Sequence, residues 1–242
     1  MKKVIEVLYP EVANLYGDPY NVKYLAQCLE ASGWEAEIIE DALSKTPYFA
    51  DHTPDFIYMG PMTEHSQELV IGALRPYAER IRELIDGNVL FLITGNAPEI
   101  FGEAIECEEG EPLEALGLYP LRAKRKMFAR YNSLILGEFE NMEIVGFKSQ
   151  FSHSYGDNAA VGFMKVIRGD GCCPGNPMEG IRDHHFFATY TLGPLLPLNP
   201  DFCLYLLGLM GVENPVLRFE AEARAAYEIR RKEFEDEHTT LN

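Results

Sequence analysis

Four short apolar runs, spaced by stretches of helical periodicity, limit what the first hundred residues can fold into. They are "KVIEVLY" (3–9), "EAEIIE" (35–40), "DFIYMG" (55–60) and "NVLFLI" (88–93). Between the first two, "NVKYLAQCLEASG" predicts a helix with Asn21 as its N-cap and Gly33 as its stop. Between the last two, Leu69, Val70, Ala73, Leu74 and Tyr77 recur at helical spacing within 66–86, a helix kinked at Pro76. Strands alternating with helices imply an α/β class with a mostly parallel central sheet flanked by helices. Sites in such sheets gather beyond the carboxyl ends of the strands. "YMGPMTEHSQ" and "ITGNAPE" both sit at such ends and are expected side by side.

The fourth run leads into "FLITGNAPEIFG" (91–102). Here a strand breaks at Thr94-Gly95-Asn96 and resumes as a helix through Glu99 and Ile100. Strand, sharp turn and helix make a nucleophile elbow, which lifts one reactive side chain above a sheet. This tip carries glycine and asparagine where the chemistry needs cysteine or serine.

The second half changes period. "SLILGEF", "EIVGFKSQF", "AVGFMKVI" and "HHFFATYTLG" are short apolar runs between Gly-rich turns, the pattern of strands and hairpins. After Gly211, "FEAEARAAYEIRRKEFEDEH" predicts a highly charged helix. Its apolar residues Phe219, Ala223, Ala226, Tyr227 and Phe234 fall near one face, suited to packing on the chain's own domain or to a homodimer contact. The expected organisation is one domain over 1–212 and a charged helical extension over 213–242.

Composition narrows the partners. Among 242 residues, 21 Lys plus Arg stand against 38 Asp plus Glu, a net charge of -17. Such acidity disfavours nucleic acid and anionic membranes, because both are polyanions. No apolar run approaches the roughly 20 residues of a membrane span. "MKKVIEVLYP" passes straight into a strand pattern, without the form of a signal peptide. Five cysteines, an odd and mostly scattered set, fit reduced thiols in a cytoplasmic protein. No Cys/His spacing suits a metal, and no cofactor is expected.

Four motifs then share an order. Residues 14–21 read "NLYGDPYN", 60–67 "GPMTEHSQ" and 95–102 "GNAPEIFG", and Glu179-Gly180 precedes "TYTLGPLLPLNP" at 189–200. With these, the chain resembles the class I glutamine amidotransferases of the cobyric acid synthase type. Their corresponding motifs are "NLYGDxGN", "GGGxDxxQ", "CGGYQLLG" and "EG…TYLHGPLLPxNP", and order and spacing agree from about Val4 to Leu207. The resemblance implies a flavodoxin-like amidotransferase fold with added β-hairpins and a C-terminal helix. It also implies a Mur-ligase-like or other synthetase subunit as partner.

In that family an elbow Cys attacks the amide carbon of glutamine, and a His after "TYL" moves the proton. Matched residue by residue, the nucleophile position is Gly95 and the base position is Leu192. The glycine loop that supplies oxyanion donors has Pro61, which lacks an N–H, and the next elbow glycine is Asn96. The implied reading is an amidotransferase-like protein without glutaminase activity, acting as a structural or regulatory partner or binding a small ligand. The alternative is an active subunit with a relocated nucleophile, for which Thr94, Cys172 and Cys173 are the choices. Thr94 reads as a strand end without an adjacent base, and the cysteines as reduced loop thiols. The remnant pocket is expected to hold Gly60, Pro61, Glu64, Thr94, Asn96, Glu99 and Tyr190, with no metal ligand. Glu64 and Glu99, with His65, would suit an amine or a cation. His184 and His185 are assigned a structural role on a strand. The basic run "RAKRKMFAR" (122–130) is either a solvated strand face or a docking patch for an anionic ligand or partner.

Overall fold

The computed structural model describes residues 1–236 and 238–241. Strand β1 (Lys2–Leu8) pairs in parallel with β2 (Glu35–Asp41) after the crossover helix α1 (Tyr20–Ala31). Gly33, at φ +80°, lets the chain leave α1 in a left-handed turn. Asn21 is not the cap of α1. It lies buried in the first turn, where its Oδ1 accepts a hydrogen bond from the Leu196 N–H at 2.8 Å. Strand β3 (Phe56–Met59) takes the other side of β1. Helix α2 (Glu64–Leu74) starts at a Thr63 cap, whose Oγ1 accepts from the Ser66 N–H at 3.1 Å. A 3-10 turn containing Pro76 separates α2 from α3 (Ala78–Asp86), so the predicted kink is a full break. Strand β4 (Leu90–Thr94) is buried throughout, as a central strand covered on both faces must be.

Beyond the elbow come β5 (Ala104–Glu106), β6 (Leu113–Glu114) and β7 (Leu121–Arg125), then the long hairpin of β8 (Tyr131–Phe139) and β9 (Met142–Gln150). Strand β10 (Ser152–Gly156) pairs with β7, giving a four-stranded sheet ordered β10-β7-β5-β6. Strands β11 (Met164–Arg168) and β12 (Met178–Glu179) extend the hairpin into a sheet ordered β12-β11-β8-β9. Strands β13 (Ile181–Asp183) and β14 (Phe186–Thr189) return to the central sheet and complete its order, β13-β14-β4-β3-β1-β2. That sheet is parallel except for β13. His184 and His185 fall in the β13–β14 turn rather than on a strand, His184 at φ 54°. They sit at the amino end of β14, where the His185 carbonyl accepts from the Phe91 N–H at 2.9 Å, away from the elbow.

Period-two alternation divides the core. Phe56 and Tyr58 face one apolar cluster with α1, while Ile57 and Met59 face another with α2 and α3. The short α4 (Leu195–Leu198) and then α5 (Pro200–Leu209) close the first cluster. Helix α6 (Glu220–Glu233) lies across β9. Phe234 just beyond it packs with Leu136 and Val145, and the Tyr227 hydroxyl donates to the Glu143 carbonyl at 3.1 Å. Its apolar stripe is covered unevenly, since Phe219 and Ala226 stay exposed. Among the described residues, no helix is long and apolar enough to cross a membrane.

Candidate functional site

Loops leaving β1, β3 and β4 at the carboxyl edge are tied to one another by hydrogen bonds. The Leu15 N–H donates to the Pro61 carbonyl at 3.1 Å. Thr94, the last residue of β4, donates through Oγ1 to Asp18 Oδ2, which also accepts from the Tyr58 hydroxyl at 2.6 Å. Burial pushes the Asp18 carboxyl above its usual range, and these hydrogen bonds oppose the shift. Thr94 therefore has an adjacent carboxylate, contrary to the sequence reading. Both residues are buried.

The elbow itself is interlocked with the glycine-loop position. Gly95 adopts φ +65°, and a Cβ placed there would lie 2.4 Å from the Pro61 Cβ. No real contact is that short, so a Cys at this position and Pro61 as it stands exclude one another. Asn96 fastens the same loop: its Oδ1 accepts from the Met62 N–H at 3.0 Å and its Nδ2 donates to the Met62 carbonyl at 2.8 Å. The expected elbow helix is only a 3-10 turn, Ala97–Phe101, with Pro98 in its first turn. Leu192, at the base position, is fully buried and exchanges two backbone hydrogen bonds with Phe147.

Below the elbow lies a polar network. Glu99 Oε1 accepts from Ser152 Oγ and from the Tyr190 hydroxyl at 2.9 Å, and Glu99 Oε2 accepts from Gln67 Nε2 at 3.1 Å. Gln67 in turn accepts from Arg125 at 3.0 Å. Burial raises the Glu99 pKa, against the pull of these donors and of Arg125. A second carboxylate, Glu179, meets Lys148 Nζ at 3.4 Å, both side chains being fully buried. Lys148 also donates to the Asp170 and Gly171 carbonyls at 3.0 and 2.7 Å.

The expected remnant pocket is thus divided. Pro61, Glu64 and Asn96 line a cleft of about 120 Å³ with Tyr16, Arg130 and Phe151. Gly60, Thr94, Glu99 and Tyr190 lie outside that cleft, and His65 is exposed beyond it. Glu99 has both oxygens engaged, so the predicted Glu64–Glu99–His65 amine pocket is not formed. Cys172 is buried, its thiol pushed up to about 12 chiefly by burial, and its Sγ accepts from the Gly180 N–H at 3.2 Å. Burial raises Cys173 as well. The basic run also splits. Arg122 and Lys124 pair with Glu106, Arg125 turns inward, and Arg130 lies 4.6 Å from the Phe151 ring centroid.

Sequence reasoning missed Asp18 as the partner of Thr94, and it missed Arg125, Ser152 and Lys148. Only Lys148 left a signal. Strand alternation places it on the same buried face of β9 as Ile144, Gly146 and Gln150.

No protein-family model matches the chain. It is 24% identical over 194 residues to the lipid II isoglutaminyl synthase (glutamine-hydrolyzing) subunit GatD of Staphylococcus aureus strain N315, covering 80% of this chain and 78% of that one. Among solved structures it resembles the glutaminase domain of Trypanosoma brucei CTPS with bound acivicin, at a TM-score of 0.56 and 11% identity, covering 89% of this chain and 96% of that one. A structure described as a glutamine amidotransferase gives 0.53 at 13% identity, covering 86% and 99%. These structures share the fold, and the Staphylococcus relative shares sequence across most of it. The chain has the fold of the glutamine amidotransferases, and over most of that fold its sequence is similar to the GatD subunit.

Proposed function

We propose that this chain is an amidotransferase-like subunit that does not hydrolyse glutamine and that serves a synthetase partner, Mur-ligase-like in type, as a structural or regulatory component. The observation that carries this reading is the contact between Gly95 and Pro61. Covalent catalysis needs a nucleophile on the elbow and N–H donors facing the oxyanion. Here the ring that withholds a donor also fills the space of the nucleophile. Leu192 cannot move a proton, and a thiol with a pKa near 12, as at Cys172, is thiolate in only about one molecule in 10⁵ at pH 7. The relative's designation as a subunit supports a partner. Residues 1–212 would form the amidotransferase-like domain and 213–242 an extension on it. The cleft at Pro61 suits a small ligand carrying both charges, since Glu64 and Arg130 border it without ion-pair partners among the described residues.

Purified protein, alone or with a co-purifying synthetase, is expected to release no glutamate from glutamine above background. Gly95→Cys with Leu192→His is expected to stay silent, while adding Pro61→Gly gives a thiol at position 95 that iodoacetamide labels. Glutamine turnover by the unmodified chain would overturn the proposal. A second reading rests on the Thr94–Asp18 contact, which sets a hydroxyl beside a base. Turnover that Thr94→Val abolishes would establish it.

A further inference from the structure

Helices α1 and α6 enclose an open groove of about 540 Å³ that shares no residue with the cleft at the elbow. Tyr20, Tyr24 and Phe219 supply aromatic walls, and Ala223 and Ala226 leave the space between them unfilled. Lys23, exposed on α1, also borders the groove and has no ion-pair partner among the described residues. It rests instead 5.0 Å from the Tyr20 ring centroid. Across the groove Arg218 does the same, 5.0 Å from the Phe219 ring.

Phe219 is the unusual residue. It occupies the N-cap position of α6 with φ 54° and ψ 43°, in the left-handed region, and no side chain caps the helix there. Ser, Thr, Asp or Asn would satisfy the helix N–H groups, and Asn would accept the backbone angles. An aromatic side chain does neither, and Phe219 is 57% exposed. Apart from the Arg218 contact, local structure gives no reason for Phe here, whereas an occupant of the groove does.

We infer that this groove binds a planar aromatic anion, with its ring against Tyr20 and Phe219 and its negative group at Lys23. Flat rings stack on aromatic walls, and a groove of this volume matches a small organic molecule. The chain's net charge of -17 opposes anions only at long range. At physiological salt, charges beyond about 8 Å are largely screened, so the nearest cation decides. Glu220, in the first turn of α6, is already held by Arg224 at 2.8 Å.

The probe is 2-naphthoate, titrated calorimetrically at 0.15 M salt beside the neutral 2-naphthalenemethanol. The chain is expected to bind the acid saturably and more tightly than the alcohol. Lys23→Gln is expected to weaken the acid roughly threefold, the scale of one exposed ion pair, and to leave the alcohol unchanged. Phe219→Asn, which suits the left-handed backbone, is expected to weaken both by about tenfold without lowering the melting temperature. The inference fails if the acid does not bind, if acid and alcohol bind alike, or if neither variant changes the affinity.

Discussion

Glu99 and Glu179 lie beneath the elbow beside two buried cations, Arg125 and Lys148, whereas Glu6 and Asp41 are buried next to one another with no ion-pair partner among the described residues. Both clusters take charge-bearing groups out of water, and each offsets the cost differently. Below the elbow, Glu99 accepts from three side chains, and Glu179 accepts from Thr189 and the Tyr190 N–H beside the Lys148 ammonium. At the other cluster, Glu6 accepts from the Phe49 N–H at 2.9 Å and Asp41 from the Tyr48 N–H at 3.1 Å. Burial, and then the neighbouring Asp41, push Glu6 up to about 9. One cluster pairs a carboxylate with a buried cation, Glu179 with Lys148, whereas the other sets two carboxyls side by side with only backbone donors. The polar network lies directly below a tip where Pro61 fills the space above Gly95.

The largest expected effect tests the matched charges. Lys148→Met would leave Glu179 buried and unpaired, which costs about 3–5 kcal/mol, read from urea unfolding. Adding Glu179→Gln is expected to recover part of the loss. A single-variant cost below about 1 kcal/mol would show that the ion pair does not hold this floor together.

Glu6→Gln tests the two adjacent carboxyls. The folded pKa near 9 lies above the ordinary 4.5, so the contribution of Glu6 is full below pH 4.5 and is lost as pH rises toward 9. The unmodified chain is expected to lose stability across that window. The variant, which needs no proton, is expected to flatten the profile and gain on the order of 2 kcal/mol at pH 8. A flat profile in the unmodified chain would erase the contrast between the clusters.

The smallest effect applies the same chemical change to the other cluster. Glu99→Gln replaces one of the two oxygens that accept from Ser152, Tyr190 and Gln67 with an NH2 donor and is expected to cost about 1 kcal/mol at pH 8. Its sign is opposite to that of Glu6→Gln. Two changes of the same sign in parallel unfolding curves would remove the contrast between the clusters.

Much of the elbow was legible because its meaning is local. A glycine at the tip, a proline in the preceding loop and a leucine at position 192 are each read directly from the sequence. Four strands of the central sheet were legible for the same reason, since apolar runs of that length and spacing have few other uses. The Thr94–Asp18 contact was not legible, because it joins residues 76 positions apart in the chain. Asn21 was misread as a cap because capping residues look alike in sequence whether they face the helix or a distant N–H, here that of Leu196. The elbow helix was overextended because Pro98 permits a first turn of either kind, and packing chose the 3-10 form.

By itself, the sequence determined the α/β class and the parallel sheet with its carboxyl-edge loops. Only the tertiary structure decided that Pro61 fills the space above Gly95, that Lys148 pairs with Glu179, and that Glu6 meets Asp41. It also decided that α6 covers β9 with its far end and leaves Phe219 open beside α1. Periodicity and side-chain chemistry are properties of consecutive residues, whereas close approach depends on how separate segments pack. A distance of 2.4 Å between Pro61 and a side chain at position 95 exists only once the chain has folded.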